Sequence, residues 1–195
     1  VKDGTVKSEL MLIKRVFKVA INKWNYGIPF NAFHGLDIPS PHKPRTRRLL
    51  SNELSILISN AKKQRNKYIS SIIQFAVETG MRRSEILKLT WNDVNLDTGI
   101  ASLYDTKNGD DRHIPLTKTA IELLSNLTQS SEFVFPISAN CLRLAWDRCR
   151  NKSNIKGLRF HDLRHEAVSR FFEMGLSVPE VALISGHKDV RQLFR

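Results

Sequence analysis

The stretch that says most about this chain is FHDLRH at residues 160–165, which opens a helix predicted over residues 161–174. His161 and Arg164 are three positions apart, so their side chains share one face of that helix. Backbone amides at a helix amino terminus and the fork of a guanidinium both favour an anionic oxygen, such as that of a phosphate. The motif therefore predicts an anion site at the start of this helix.

Two other interpretations of this motif remain open. His161 and His165 are spaced as in the zinc motif His-Glu-x-x-His, but Asp162 stands in place of the glutamate and Arg164 would repel a dication. A structural helix cap is a better alternative than zinc, although it does not explain why two cationic groups share one face. We therefore expect no metal ion here.

A second motif, TGMRRSE at residues 79–85, places an arginine between two predicted helices. Gly80 ends the first helix and the second starts at once, so Arg82 lies on a tight turn and can point into a cleft. Glu85, three residues on, can orient that guanidinium. Taken alone this motif is weak evidence, because paired arginines are usually solvated surface.

Two further residues indicate a functional site only in combination with their surroundings. Lys107 stands beside the Asn108-Gly109 turn of a predicted β-hairpin, and it matters only if the hairpin folds over an anion. His187 follows Gly186 after the last predicted helix, where a hydrogen-bonded structural histidine is the default interpretation.

The rest of the sequence predicts an α+β fold that is mostly helical. Turns at residues 97–99 and 108–109 join strands at 94–96, 100–104 and 112–116 into one small three-stranded antiparallel sheet. Ser51 is predicted to cap one helix, and Ser177 with Glu180 forms a capping box for the last. The other predicted helices cover residues 8–24, 68–79, 83–89, 118–127, 139–151 and 179–184.

Charge and cysteine content narrow the class of protein. The 195 residues carry a net charge of +12, which favours nucleic acid or an anionic membrane as partner but also suits a solubilising surface. No basic amphipathic helix with exposed aromatic residues is evident, so we expect no membrane association. Cys141 and Cys149 lie too far apart along one predicted helix to bridge, and we expect reduced core cysteines in a cytoplasmic protein.

Taken together, the motifs resemble, in order and spacing, the catalytic pattern of tyrosine recombinases, the phage integrase family. That pattern has an arginine after Thr-Gly, a lysine on a β-hairpin, His-x-Leu-Arg-His and Gly-His. It is matched here by Arg82, Lys107, residues 161–165 and His187. The resemblance covers residues 49–195 and implies a catalytic domain there. It also implies that residues 29–48 are an interdomain linker and that residues 1–28 are the last helix of a helical core-binding domain.

The resemblance implies DNA strand cleavage and rejoining through a 3′-phosphotyrosyl intermediate, for integration or excision, with no metal or cofactor. The implied partners are double-stranded DNA and further copies of the protein, as a homo-tetramer on paired recombination sites. The implied location is the cytoplasm, for a bacterial or phage-encoded protein. Two interpretations of the basic linker residues remain open, contact with DNA and a position in a merely solvated linker. These residues are Lys43, Arg45, Arg47 and Arg48.

The resemblance also implies a role for each motif residue. Arg82 and Arg164 would bind the non-bridging phosphate oxygens, for which their planar forks are suited. Lys107 would protonate the 5′-oxygen leaving group, and His161 would take or share the proton of the attacking tyrosine. The remaining residues of the pattern are His187, which would hydrogen-bond the phosphate, and the supporting residues Glu85 and His165.

Two features depart from the family pattern. Tyr26, Tyr68 and Tyr104 all precede the FHDLRH motif, whereas the family nucleophile follows the Gly-His histidine by about nine residues. We therefore expect the nucleophile just beyond Arg195, and a chain that binds DNA without cleaving it. Ser185 replaces an apolar residue, which puts the local packing in question. The alternative functions are a non-catalytic DNA-binding regulator derived from an integrase and a type IB topoisomerase-like enzyme.

Overall fold

The computed structural model describes residues 3–28, 35–36, 38, 45–104 and 111–194. The chain divides into two units, Val1–Arg45 and Thr46–Arg195. In the first, helix α1 spans Asp3–Trp24 and thus begins before the predicted residue 8; its only buried side chain among the described residues is Ala20. Its membership of a core-binding domain remains a prediction.

The second unit confirms the predicted α+β fold, with one small antiparallel sheet among helices. One 3₁₀ turn, Trp91–Asp93, comes just before the sheet, and another, Val190–Gln192, follows the last helix. The helices and strands are α2 Glu53–Lys62, α3 Tyr68–Thr79, α4 Arg83–Lys88, β1 Val94–Asn95, β2 Ile100–Leu103, β3 Arg112–Pro115, α5 Lys118–Ser125, α6 Ala139–Lys152, α7 Asp162–Glu173 and α8 Val178–Ser185.

The sheet has the order β1-β2-β3 with antiparallel neighbours. Ala101 of β2 pairs with Val94 on one side and with Ile114 on the other, and Leu103 pairs with Arg112. Alternate residues of β3 are buried, so Arg112 and Ile114 both face inward. The predicted Asn108-Gly109 turn between β2 and β3 lies outside the described residues.

Helix α3 forms the centre of the core. Eight of its twelve residues are buried and the other four are partly buried, as expected for a helix with other elements packed around it. Ile69, Ile72, Ile73 and Phe75 have no exposed surface, and α2, α5 and α7 pack against the helix. Because α3 lies against α7, the turn that follows Thr79 is brought next to the helix that carries the FHDLRH motif.

Two local predictions were wrong and one was confirmed. Asn52, not Ser51, occupies the N-cap of α2, and its side chain makes no capping bond. The Glu53 carboxylate in the first turn accepts the Leu50 backbone amide at 2.9 Å. Cys141 is only partly buried, so it is not a core residue as predicted, whereas Cys149 is; both are free thiols. The predicted capping box at the start of α8 is present.

Within the described residues, no helix combines the length and the apolar character that a membrane span requires.

Candidate active site

Arg82 lies on the turn that joins α3 to α4. Gly80 ends α3 with a φ of 62°, in the left-handed region that favours glycine. A Cβ at this position would lie 3.4 Å from side-chain atoms of Ala167 and Phe171, an ordinary van der Waals distance, so the positive φ and not a lack of space favours glycine here. Arg82 then adopts an extended conformation at the N-cap of α4.

Two contacts fix the Arg82 side chain. Glu85 Oε1 accepts a hydrogen bond from Arg82 Nη1 at 2.8 Å, and Glu85 Oε2 accepts one from the Arg82 backbone amide at 2.6 Å. Arg82 Nη2 donates to the Gly186 carbonyl, just after α8, at 3.2 Å. The Arg82 side chain remains 26% exposed, so a ligand can still reach the guanidinium.

Arg164 joins the carboxyl ends of two helices. Its Nη1 donates to the Gly80 carbonyl at 2.7 Å and its Nη2 to the Ser185 carbonyl at 2.5 Å. These carbonyls stand at the negative ends of the α3 and α8 dipoles, which suits a cation. Burial is the main cause that lowers the pKa of Arg164, to about 9, and the positive charge of Arg82 is the second cause. The guanidinium therefore stays protonated at neutral pH.

His187 is oriented by Ser185, the residue that departs from the family pattern. The buried Ser185 hydroxyl donates to the Val181 carbonyl at 2.5 Å and lies 2.6 Å from His187 Nδ1. Since a hydroxyl has a single proton, Ser185 must accept from His187 Nδ1–H, which leaves Nε2 as an acceptor 3.4 Å from Arg164 Nη2. Burial is the main cause that lowers the pKa of His187, to about 4, and the positive charges of Arg164 and Arg82 lower it further.

Acid is expected to destabilise the protein through His187. In the unfolded chain this imidazole has its ordinary pKa near 6.5, so between pH 6.5 and 4 the unfolded state binds a proton that the folded state does not. Stability is therefore lost as pH falls through that range, by about 1–2 kcal/mol after allowance for solvent screening. His187→Gln should remove this part of the loss in urea unfolding at pH 7 and pH 4.5; equal losses in both proteins would contradict it.

His161 and His165 lie at the start of α7, beside the two arginines. Their rings meet edge to face with centroids 5.0 Å apart. Burial lowers the pKa of His161, and the neighbouring charges of His165 and Arg164 lower it further. His161 also lines a cavity of about 260 Å³ whose walls include Arg83 and Arg150.

The zinc interpretation of the FHDLRH motif finds no support in its geometry. Asp162, which replaces the glutamate of the zinc motif, is buried and accepts the Arg159 backbone amide at 2.8 Å. The described part of the chain contains no group of three or more His, Cys, Asp or Glu side chains placed to hold a metal ion. The carboxylate thus caps the helix, while His161 and Arg164 stay available for another ligand.

The structure brings most of the predicted site residues together. Direct contacts or common partners link Arg82, Glu85, Arg164 and His187. The charges of both arginines lower the pKa of His161, which lies nearby. His165 acts electrostatically on both His161 and His187. Lys107 lies outside the described residues, so its role remains a prediction.

Sequence reasoning missed Arg112, which is 8% exposed and donates from Nη2 to Glu85 Oε2 at 2.7 Å. Its position in β3 contained a usable signal. Arg112 alternates with Ile114, so it occupies an inward-facing position of the strand, where a charged residue requires a buried partner.

The linker arginines have partners within the second unit. Arg47 forms an ion pair with Glu53, and Arg48 forms ion pairs with Glu166 at 3.1 Å and with Glu173 at 2.5 Å. These contacts favour an intramolecular role over DNA contact for both arginines. Arg45 belongs to the first unit, and Lys43 lies outside the described residues.

Comparisons with known proteins show the family to which the chain belongs. The phage integrase family model matches residues 47–195. A shufflon-specific DNA recombinase of Escherichia coli is 38% identical over 197 residues, covering 100% of this chain and 51% of that protein. A putative integrase/recombinase of Haemophilus influenzae is 34% identical over 198 residues, covering 97% of this chain and 64% of that protein. The chain therefore spans about half to two thirds of these relatives.

Solved structures share the fold. A lambda integrase dimer bound to a COC′ core site superimposes with a TM-score of 0.80 at 21% identity, covering 100% of this chain and 74% of that one. The Tn1549 transposon integrase, in complex with transposon right end DNA, superimposes with a TM-score of 0.78 at 18% identity and the same coverage. Together with the family match, the fold and the clustered motif residues show that this chain belongs to the phage integrase family and contains its tyrosine recombinase catalytic domain.

Proposed function

We propose that this chain is part of a site-specific DNA recombinase that cleaves and rejoins strands through a 3′-phosphotyrosyl intermediate, in integration or excision. The observation that carries the proposal is the cluster of Arg82, Arg164 and His187 at the carboxyl ends of α3 and α8. Phosphoryl transfer requires mainly that the phosphate be positioned and its charge stabilised. Two guanidiniums can do both without a metal ion.

The electrostatics of the cluster favour an anion. The pKa values of Arg164 and His187 are lowered because burial and the other positive charges are not fully compensated. A phosphodiester bound there would supply the missing negative charge. Arg82 and Arg164 would hold the non-bridging oxygens, and His187 would contribute a hydrogen bond once the phosphate raises its pKa.

His161 is suited to accept the proton of the attacking tyrosine. Its lowered pKa keeps the imidazole neutral at pH 7, and only a neutral imidazole can act as acceptor. A phenol, with a pKa of about 10, is a weak nucleophile until its proton is removed. Lys107 is retained as the proposed general acid for the 5′-oxygen, on the resemblance alone.

None of the three tyrosines of this sequence is proposed as the nucleophile. Tyr68 is buried in the core, Tyr26 belongs to the first unit, and Tyr104 precedes the FHDLRH motif by more than fifty positions. The family spacing puts the nucleophile about nine residues after His187. We therefore propose that the 195-residue polypeptide by itself binds DNA but does not cleave it.

The proposed partners follow from the charge and from the relatives. A net charge of +12 suits double-stranded DNA, whose phosphates attract clustered lysine and arginine. One solved neighbour is a lambda integrase tetramer bound to a Holliday junction. We propose a homo-tetramer on paired sites for the whole protein, a core-binding domain that includes residues 1–28, and a cytoplasmic location.

A suicide DNA substrate tests the reaction. The polypeptide is extended by the residues that follow Arg195 in its gene and is incubated with nicked cognate DNA, which traps the covalent intermediate. We expect a protein–DNA adduct on a denaturing gel for the extended polypeptide and none for residues 1–195. The matched control replaces the added tyrosine by phenylalanine and should form no adduct. Binding of cognate DNA without any adduct would instead identify a non-catalytic regulator.

A further inference from the structure

Arg112 closes a ring of contacts around the candidate active site. Its Nη2 donates to Glu85 Oε2 at 2.7 Å, while Glu85 Oε1 accepts from Arg82 Nη1 at 2.8 Å. Arg82 Nη2 in turn donates to the Gly186 carbonyl at 3.2 Å. The ring is completed where the guanidinium of Arg112 lies on Gly186. Residues of α4, of β3 and of the end of α8 are thereby held together.

The contact between Arg112 and Gly186 is possible only because residue 186 has no side chain. A Cβ there would lie 2.5 Å from Arg112 Nη1, 3.0 Å from Cζ and 3.3 Å from Cδ. The neighbours of Gly186 are Ser185, whose carbonyl holds Arg164, and His187 itself. Arg112 therefore supports the segment on which the other phosphate-binding groups depend.

Arg112 also changes the charge balance of the site. With Arg82 alone, the Glu85 carboxylate would neutralise one of the guanidiniums proposed to bind phosphate. Because Glu85 is shared between Arg82 and Arg112, this group of three keeps a net positive charge. Burial alone would raise the pKa of Glu85, but hydrogen bonds from Arg112 and Arg82 outweigh burial and lower it, so the carboxylate stays ionised.

The buried position of Arg112 carries a local energetic cost. Its Nε is buried and has no hydrogen-bond partner among the residues that the structure describes. An unsatisfied buried donor destabilises the fold, and such departures from full hydrogen bonding are expected mainly at functional sites.

We propose that Arg112 is a positioning residue for strand cleavage, which acts through Glu85 on Arg82 and through Gly186 on Arg164 and His187. This inference rests on the proposed function. It adds to the family pattern a residue that holds two guanidiniums in the geometry a phosphate requires and keeps the charge of Arg82 available to it.

The test compares Arg112→Met and Arg112→Lys in the extended polypeptide on the suicide substrate. Arg112→Met should slow single-turnover adduct formation at least about 30-fold while changing the DNA Kd less than about threefold, since positioning matters most in the transition state. Lysine keeps the charge and one donor, so Arg112→Lys should recover much of the rate. Arg148→Met removes an exposed arginine from α6 and should cleave at the normal rate.

A pH profile separates positioning from a general loss of structure. Without Arg112, Glu85 has only Arg82 to keep it ionised, so its protonation should move the acid limb of the cleavage rate to higher pH. In a Glu85→Gln background, Arg112→Met should cause a smaller loss than in the unmodified protein, because the contact between the two residues is already weakened; the remaining loss reports the contact with Gly186.

Each outcome bears on a different claim. Normal rates and an unchanged acid limb in both Arg112 variants would overturn the positioning role and leave the recombinase proposal intact. If Arg112→Met does not fold, the lysine variant decides: its cleavage rate must lie measurably below that of the unmodified protein, because one donor cannot replace the guanidinium, and a normal rate would refute the inference. Absence of any adduct with unmodified extended protein would instead refute the proposed function, and the inference with it.

Discussion

Replacement of Arg164 by lysine is expected to slow covalent adduct formation by about 1000-fold or more, a loss of about 4 kcal/mol of transition-state stabilisation. The planar guanidinium bonds the Gly80 carbonyl at 2.7 Å and the Ser185 carbonyl at 2.5 Å while remaining within reach of His187. An ammonium is a point charge without that fork, and it cannot bridge two helix ends and also face a phosphate in a fixed geometry. Single-turnover cleavage of the suicide substrate by the extended polypeptide measures the effect.

The matched control for this change is Arg170→Lys on the same helix. Arg170 donates to Glu166 at 2.9 Å and its side chain is 38% exposed, so lysine can replace it with little effect on cleavage. Circular dichroism and urea unfolding establish that both variants are folded before rates are compared. A normal rate for Arg164→Lys would exclude this guanidinium from the mechanism, whatever the result for the control.

Gly186→Ala is expected to destabilise the folded protein by about 2–5 kcal/mol. Alanine would carry the cost of a positive φ, here 67°, which is about 1–2 kcal/mol. Its Cβ would in addition meet Arg112 Nη1 at 2.5 Å. The tip of an arginine can usually move aside, but this one is bonded to Glu85, so steric strain adds about 1–3 kcal/mol.

Gly157→Ala is the matched control for the cost of placing alanine at a positive φ. Gly157 has a φ of 72°, and among the described residues no atom beyond its own chain neighbours lies within 4 Å of the position its Cβ would occupy. The difference between the two variants in urea unfolding therefore measures the contact with Arg112. That difference should shrink when Gly186→Ala is combined with Arg112→Met. Equal losses for the two alanine variants would mean that Arg112 moves freely and that the ring of contacts does not hold.

Features that depend on neighbouring residues could be predicted from the sequence. Helix α3 was predicted with its observed bounds, because a run of apolar residues ends at a glycine that tolerates a positive φ. The capping box of Ser177 and Glu180 involves residues three positions apart, and it is present. Even a local prediction can be wrong by one residue, since Asn52 and not Ser51 occupies the N-cap of α2.

The chemistry of the site could be predicted only as a set of residue types. The motifs identified Arg82, His161, Arg164 and His187, but their separation in sequence says nothing about the carbonyls that fix them. The structure supplied Gly80 and Ser185 as the partners of Arg164, and Ser185 as the group that selects the tautomer of His187. An apolar residue at position 185 could not have done so.

The amino-acid sequence by itself determined the helical and strand segments, the family pattern and the identity of most of the charged groups, because these follow from local periodicity, capping and motif spacing. Only the tertiary structure decided that Arg112 shares Glu85 with Arg82, and that Arg48 is held by Glu166, 118 positions away. Ion pairs and buried hydrogen bonds depend on distances of a few ångströms between elements remote in sequence. Packing of the core around α3 sets those distances, and no local pattern encodes them.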